Sequence, residues 1–288
     1  MLIRGRGPGE YQYITNCNYD SERQILSIYD NIGQKLILYR TDGEFLKDIP
    51  VKMGRSGLIV STEMINLPNG NYLGYSPTLF ESVGNYSGLW EMDLEGNHVK
   101  SLFLYDIHVW TMFAGGSSLQ QLADGTISIR DLMHHDIYHY KDDMVKRYIS
   151  YEIKDSKLIK YQGTDVSLDI PFMFCRSSHE SKDYIISNWV DESRDNVFGL
   201  YDKRRNKMRF TDTFDNFGLD AIWTSAQVNS SIDNILLINL SGTRIEQMLN
   251  DEATSEKARK ILNTLKDGRS ETEMESMNPI LELLYLKI

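Results

Sequence analysis

The stretch from Ile25 to Val51 constrains this chain most. It reads Ile-Leu-Ser-Ile-Tyr-Asp, a break at Asn31-Ile32-Gly33, Lys-Leu-Ile-Leu-Tyr-Arg, a Thr-Asp-Gly turn, then Glu-Phe-Leu-Lys-Asp-Ile-Pro-Val. These are three strand-length runs rich in β-branched and aromatic residues, separated by turn formers. Gly43 accepts the positive φ that a tight hairpin demands, so Asp42-Gly43 marks a reversal. Tyr13–Asn18 supplies a strand in front of them. The unit is therefore expected to be a four-stranded antiparallel sheet.

That unit recurs. Second strands of successive copies begin near Ile25, Tyr72, Thr126, Tyr184 and Ile235, a spacing of roughly 47 to 58 residues. Inside each copy the apolar pattern has period two, which excludes helical solenoids. Four-stranded sheets at this spacing predict an all-β fold, a β-propeller whose blades pack around a central channel. An irregular β-sandwich fits less well, since sandwiches rarely show a period near 50 residues. The blades are expected at 11–51, 60–106, 117–154, 170–214 and 220–288 of a single domain, with 1–10 ending a preceding blade and connecting onward. In the last copy, Ala221–Val228 and Ile235–Leu240 read as strands. A helix follows at Ser255–Lys266, with Ala258, Ile261, Leu262 and Leu265 on one face and Gly268 ending it. Ile280–Lys287 closes the copy as a third strand. In propellers a missing fourth strand comes from the opposite terminus.

A net charge of −10 argues against nucleic acid as a partner, because phosphate contacts need a basic face. Lys203-Arg204-Arg205 is a local exception, expected as a solvated turn tip. No apolar run approaches the roughly 20 residues of a membrane span. Met1 to Gly7 has no apolar signal-peptide core. Cys17 and Cys175 fall in separate strands, and no disulfide is expected between them.

Two segments carry a resemblance. Gly5-Arg6-Gly7-Pro8-Gly9-Glu10-Tyr11 and Asn278-Pro279-Ile280-Leu281-Glu282-Leu283-Leu284-Tyr285-Leu286-Lys287 resemble the Bacteroides-type six-bladed β-propeller family. Its members are NHL-like, usually exported proteins, many of them lipoproteins. The resemblance spans the chain. In the family the glycine-proline motif follows the outer strand of the first blade. That implies about five blades here, most of the first being absent, with an open or distorted ring. It also implies a periplasmic or outer-membrane-associated protein; a chain that truly starts at Met1 is expected to be cytoplasmic.

Local motifs are weak. Gly5–Tyr11 lacks the lysine and strand-to-helix setting of a phosphate loop, so an inter-blade connection is expected. His134-His135-Asp136-Ile137-Tyr138-His139 offers at most two ligands per strand face, where zinc catalysis needs about three. Asp191–Asn196 lacks the glycine and spaced carboxylates of a calcium loop. No Gly-x-Ser-x-Gly elbow occurs. No metal and no cofactor are expected.

The channel mouth is the better place to look. Tyr11, Tyr13, Arg55, Trp110 and Trp223 would line it, rings to stack and an ion to orient a glycan or protein partner. For any single one of these rings, packing between blades is the competing expectation. The expected function is non-catalytic binding or scaffolding. The alternative is a lyase or hydrolase, with Glu63, His108 and Arg176 as acid, base and anion clamp.

Overall fold

The structure is a computed structural model of the 288-residue chain. It describes residues 3–51, 63–76, 88–103, 118–131, 136–151, 157–160, 167–170, 174–190, 196–211, 228–232, 235–240, 242–250, 252, 254, 256–270, 273 and 280–285. They fall into two compact units, 1–121 with 127–150, and 122–126 with 151–288.

The first unit opens with β1 (Ile3–Arg4) and β2 (Glu10–Tyr11), a short parallel pair. Three four-stranded antiparallel sheets follow. The first holds β3 (Ile14–Asp20), β4 (Ile25–Asp30), β5 (Lys35–Arg40) and β6 (Phe45–Pro50). The second holds β7 (Glu63–Asn66), β8 (Tyr72–Ser76), β9 (Gly88–Met92) and β10 (His98–Phe103). The third holds β11 (Leu119–Gln121), β12 (Ile127–Arg130), β13 (Ile137–Lys141) and β14 (Met144–Ile149). First strands adjoin one another, β3 beside β7 and β7 beside β11. Asn16 Oδ1 accepts the Met64 N–H at 3.3 Å across the first of these junctions.

Burial follows from period-two alternation. Met64, Tyr72, Trp90 and Met92 on one face of the second sheet pack with Tyr29, Leu36, Leu38, Ile49 and Val51 of the first. Ile65, Leu73, Tyr75 and Leu89 on its other face pack with Leu119, Ile127, Ile129 and Tyr140 of the third. A blade covered on both sides reads as continuously apolar strands. Room for its largest side chain comes from Gly74, the cross-strand partner of Trp90. A Cβ on Gly74 would lie 2.2 Å from the Trp90 ring. Trp90 Nε1 donates to Ser76 Oγ at 3.3 Å, so the buried indole keeps a polar partner.

The second unit contains the hairpin β15 (Lys157–Lys160) and β16 (Ser167–Ile170). A four-stranded blade follows, of β17 (Phe174–Glu180), β18 (Tyr184–Val190), β19 (Asn196–Asp202) and β20 (Lys207–Thr211). Trp189 is fully buried and donates to Ser187 Oγ at 2.7 Å. Gly199, opposite Ser187, leaves that hydroxyl its space, since a Cβ there would lie 2.6 Å from Oγ. The last sheet has three strands, β21 (Val228–Ile232), β22 (Ile235–Leu240) and β23 (Ile280–Tyr285), and β21 adjoins β17. Between β22 and β23 stand α1 (Gly242–Asn250) and α2 (Glu256–Lys266). Ile245, Met248 and Leu262 are buried among them. Arg259 Nη1 donates to the Leu249 carbonyl at 2.7 Å, satisfying an acceptor in the last turn of α1.

This is an all-β fold of the propeller type, with a helical insertion in its last blade. Three details differ from the sequence pattern. Helix α1 precedes the expected helix, the hairpin β15–β16 lies between expected blades, and β21 runs to Ile232, beyond the expected strand end at Val228.

Candidate binding face

Every four-stranded blade has one end where its first strand begins and its second strand finishes. At the other end the turns are tight and are shaped by their own side chains. Asp20 Oδ1 accepts the N–H groups of Glu22 and Arg23, and Asp93 Oδ1 those of Glu95 and Asn97. Asp42, Asn69 and Asp124 each hold the N–H two residues on. Such Asx turns fix a hairpin and leave little to a ligand. The Lys203–Arg205 tip follows the same rule. Asp202 Oδ1 holds the Arg204 and Arg205 N–H groups, while Lys203 pairs with buried Glu180 at 2.5 Å. Arg205 lies 3.1 Å from Asp202.

Where first strands begin, buried ionisable groups reach further along the chain. Asp30, fully buried at the end of β4, accepts the Gln12 N–H on Oδ2 and the Tyr13 N–H on Oδ1, both at 2.9 Å. Glu63, buried at the start of β7, accepts the Ser118 N–H on both oxygens at 2.8 Å and the Leu119 N–H at 3.0 Å. Arg130, Asp131 and Asp136 are buried at the same end of the third blade, and Arg147 lies 3.6 Å from Asp136. Burial, with Asp131 and Asp136 close by, pushes the Tyr138 phenol above its ordinary range.

The residues expected at the mouth separate. Tyr11 is half-buried and packs against Ile28, Ile37 and Tyr39. Tyr13 is 56% exposed, with its backbone held by Asp30. Glu63 is taken up by backbone amides, which gives it a structural occupation. Arg176 sits on β17 where the register shifts between Cys175 and Ser177. Arg55, His108, Trp110 and Trp223 lie outside the described residues, as do His134, His135 and 191–195. His139 stacks on Tyr148, centroids 4.0 Å apart, on the outer strands of the third blade. Among the described residues no group of three or more His, Cys, Asp or Glu could hold a metal ion. Among them, too, no helix is long and apolar enough to cross a membrane. Cys17 is exposed, Cys175 is buried, and both are free.

The glycine-proline segment is a clasp on the first blade. Glu10 Oε2 accepts the Gly7 N–H at 2.8 Å, and Lys35 Nζ donates to the Gly7 carbonyl at 3.0 Å. Tyr39 OH donates to the Gly9 carbonyl at 2.5 Å. Burial first, and Asp48 second, raise the Tyr39 phenol. Sequence spacing held no sign of Asp30: its partners are main-chain amides. For Arg130 and Asp131 a signal existed, a charged pair ending the run Thr-Ile-Ser-Ile.

A family model described as a domain of unknown function, DUF4934, matches residues 3–284. The chain belongs to this family. No curated protein matches it. A solved protein of Bacteroides fragilis NCTC 9343, described as exported, shares 15% identity over 98% of this chain and 79% of its own, with a TM-score of 0.62. That likeness is one of fold. A protein of unknown function from Bacteroides caccae shares 12% identity over 81% of this chain and 71% of its own, TM-score 0.39. Virginiamycin B lyase from Staphylococcus aureus shares 9% identity over 81% and 62% of the two chains, TM-score 0.45.

Proposed function

We propose that this DUF4934 chain is a non-catalytic binding propeller that holds a glycan or a protein partner where its first strands begin. The observation that carries this is the contrast between blade ends. Tight Asx turns close one end, while the connections 51–62, 77–87 and 104–118 arrive at the other. Long connections on a rigid scaffold are where recognition residues gather. Tyr11, Tyr13, Arg55, Trp110 and Trp223 are the residues assigned to the contact. Glu63 supports binding over catalysis, because a carboxylate seated on backbone amides is poorly placed to give up or take a proton. A place outside the cytoplasm, periplasmic or on the outer membrane, is part of the same proposal. It draws on the glycine-proline resemblance and on the exported Bacteroides fragilis protein of like fold.

The test is a glycan array and a surface-display protein screen with the whole chain, followed by alanine at Tyr13, Trp110 and Trp223. A loss of affinity for the captured ligand of about tenfold or more per ring is expected, the cost of truncating an aromatic that carries binding energy. Turnover of a sugar or peptide abolished by alanine at His108 or Arg176 would replace binding with a lyase or hydrolase.

A further inference from the structure

We propose that Asp30 and Glu63 are positioning residues, buried carboxylates that fix where the chain enters its first strands. Each grips two consecutive amides on a segment remote in sequence: Asp30 holds Gln12 and Tyr13, and Glu63 holds Ser118 and Leu119. Charge-assisted bonds of this length are about twice as strong as neutral ones. A buried carboxylate also needs such donors to remain in the fold at all. The carboxylates of the tight turns do something different. Asp42, Asp93 and Asp124 bond amides two to four residues away within their own turn, and Asp20, which does the same, reaches beyond it only to the Asn66 side chain.

What the two grips hold gives them their role. Gln12-Tyr13 leaves the glycine clasp, and Ser118-Leu119 ends the connection that carries His108 and Trp110. Asp30 is itself confined, since a Cβ on Gly33 would lie 2.2 Å from its Oδ2. Asp30 and Glu63 therefore set the stem of each segment against the rigid sheet and leave the rest of it to carry side chains. The link to recognition rests on the binding reading above; the anchoring does not.

Hydrogen exchange of the whole chain tests this. In Glu63→Gln the amides of Ser118 and Leu119 should exchange at least tenfold faster, with those of β8 and β9 unchanged. Asp30→Asn should do the same at Gln12 and Tyr13. Asp42→Asn, a tight-turn control, should move neither pair. Unchanged exchange at the gripped amides overturns the proposal, and so does an equal rise in every sheet, which would mark plain stabilisers. Should Glu63→Gln fail to fold, Glu63→Asp retains the charge and withdraws it by one methylene. Local release is expected there, and wild-type exchange overturns the assignment. A ligand screen that finds nothing would overturn the binding reading alone, so the two failures are distinguishable.

Discussion

Where first strands pass to second, or third to fourth, no connection between described strands exceeds five residues, as at 67–71, 93–97 and 122–126. At the opposite end 31–34 and 191–195 are equally brief, but 51–62, 104–118 and 241–279 are not, and the last holds both helices. One end is thus fixed by local chemistry: an Asp or Asn, a residue of positive φ, and a register that cannot slip. The other end is fixed by contacts distant in sequence, buried carboxylates on main-chain amides. Variation is cheap at the second end because the sheets do not depend on what its connections carry.

The largest effect should come from the core that both ends share. Trp90 is fully buried between two blades. Trp90→Ala should cost about 3–5 kcal/mol, read as a lowered urea midpoint. If the ends are separate only in their connections, turns and gripped amides of the first unit should melt together. Two transitions would break the comparison. Next comes Glu63→Ala, which strands buried amides and should cost about 2–3 kcal/mol. A value within about 0.5 kcal/mol of wild type, as for an ordinary surface change, would mean that water replaces the carboxylate.

Smaller still is Gly43→Ala. Gly43 has φ +90° and nothing within 4 Å of an added Cβ. Backbone strain alone should cost about 1 kcal/mol. Gly96 has φ +82°, yet its Cβ would meet the Pro50 carbonyl oxygen at 1.9 Å. Gly96→Ala should therefore cost clearly more in the same urea titration. Equal costs would show that blade contacts at these turns give way freely.

The same contrast explains what could be read from the sequence. Turn-borne information is local, so Asp42-Gly43 gave away its hairpin, and the second strands β4, β8, β18 and β22 begin at their expected Ile25, Tyr72, Tyr184 and Ile235. The hairpin β15–β16 escaped because its strands, Lys-Leu-Ile-Lys and Ser-Leu-Asp-Ile, have four residues each, the shortest run in which alternation can be read. Helix α1 did carry the spacing Ile245, Met248, Leu249, yet it has only nine residues and opens on Gly242, a poor helix former. Glu63 read as an acid because residue type is all that a sequence shows of it. Its partners are backbone amides 55 and 56 residues away, and main-chain donors have no letter of their own.

The smallest expected effect is a pH dependence at the tight-turn end. Asp143 lies in a two-residue turn and accepts from Lys100 Nζ and from Tyr140 OH. The Lys100 bond first, and the Tyr140 bond second, hold its carboxyl below the usual range. Lys100 in turn is pushed up, chiefly by Asp143, and lies 3.2 Å from buried Glu91. The folded chain thus favours charged Asp143 more than the unfolded chain does. Its contribution is complete above the ordinary carboxylate value of about 4 and is lost as pH falls through the lowered one. Asp143 is well exposed, so solvent screens the pair and the effect should be a small shift in Tm. Asp143→Asn should melt slightly below wild type between pH 5 and 7, and the gap should close on acidification towards pH 2.5. A gap that persists unchanged at pH 2.5 would assign the loss to the turn's geometry. The charge would then contribute nothing, and this turn would differ from the buried grips only in span.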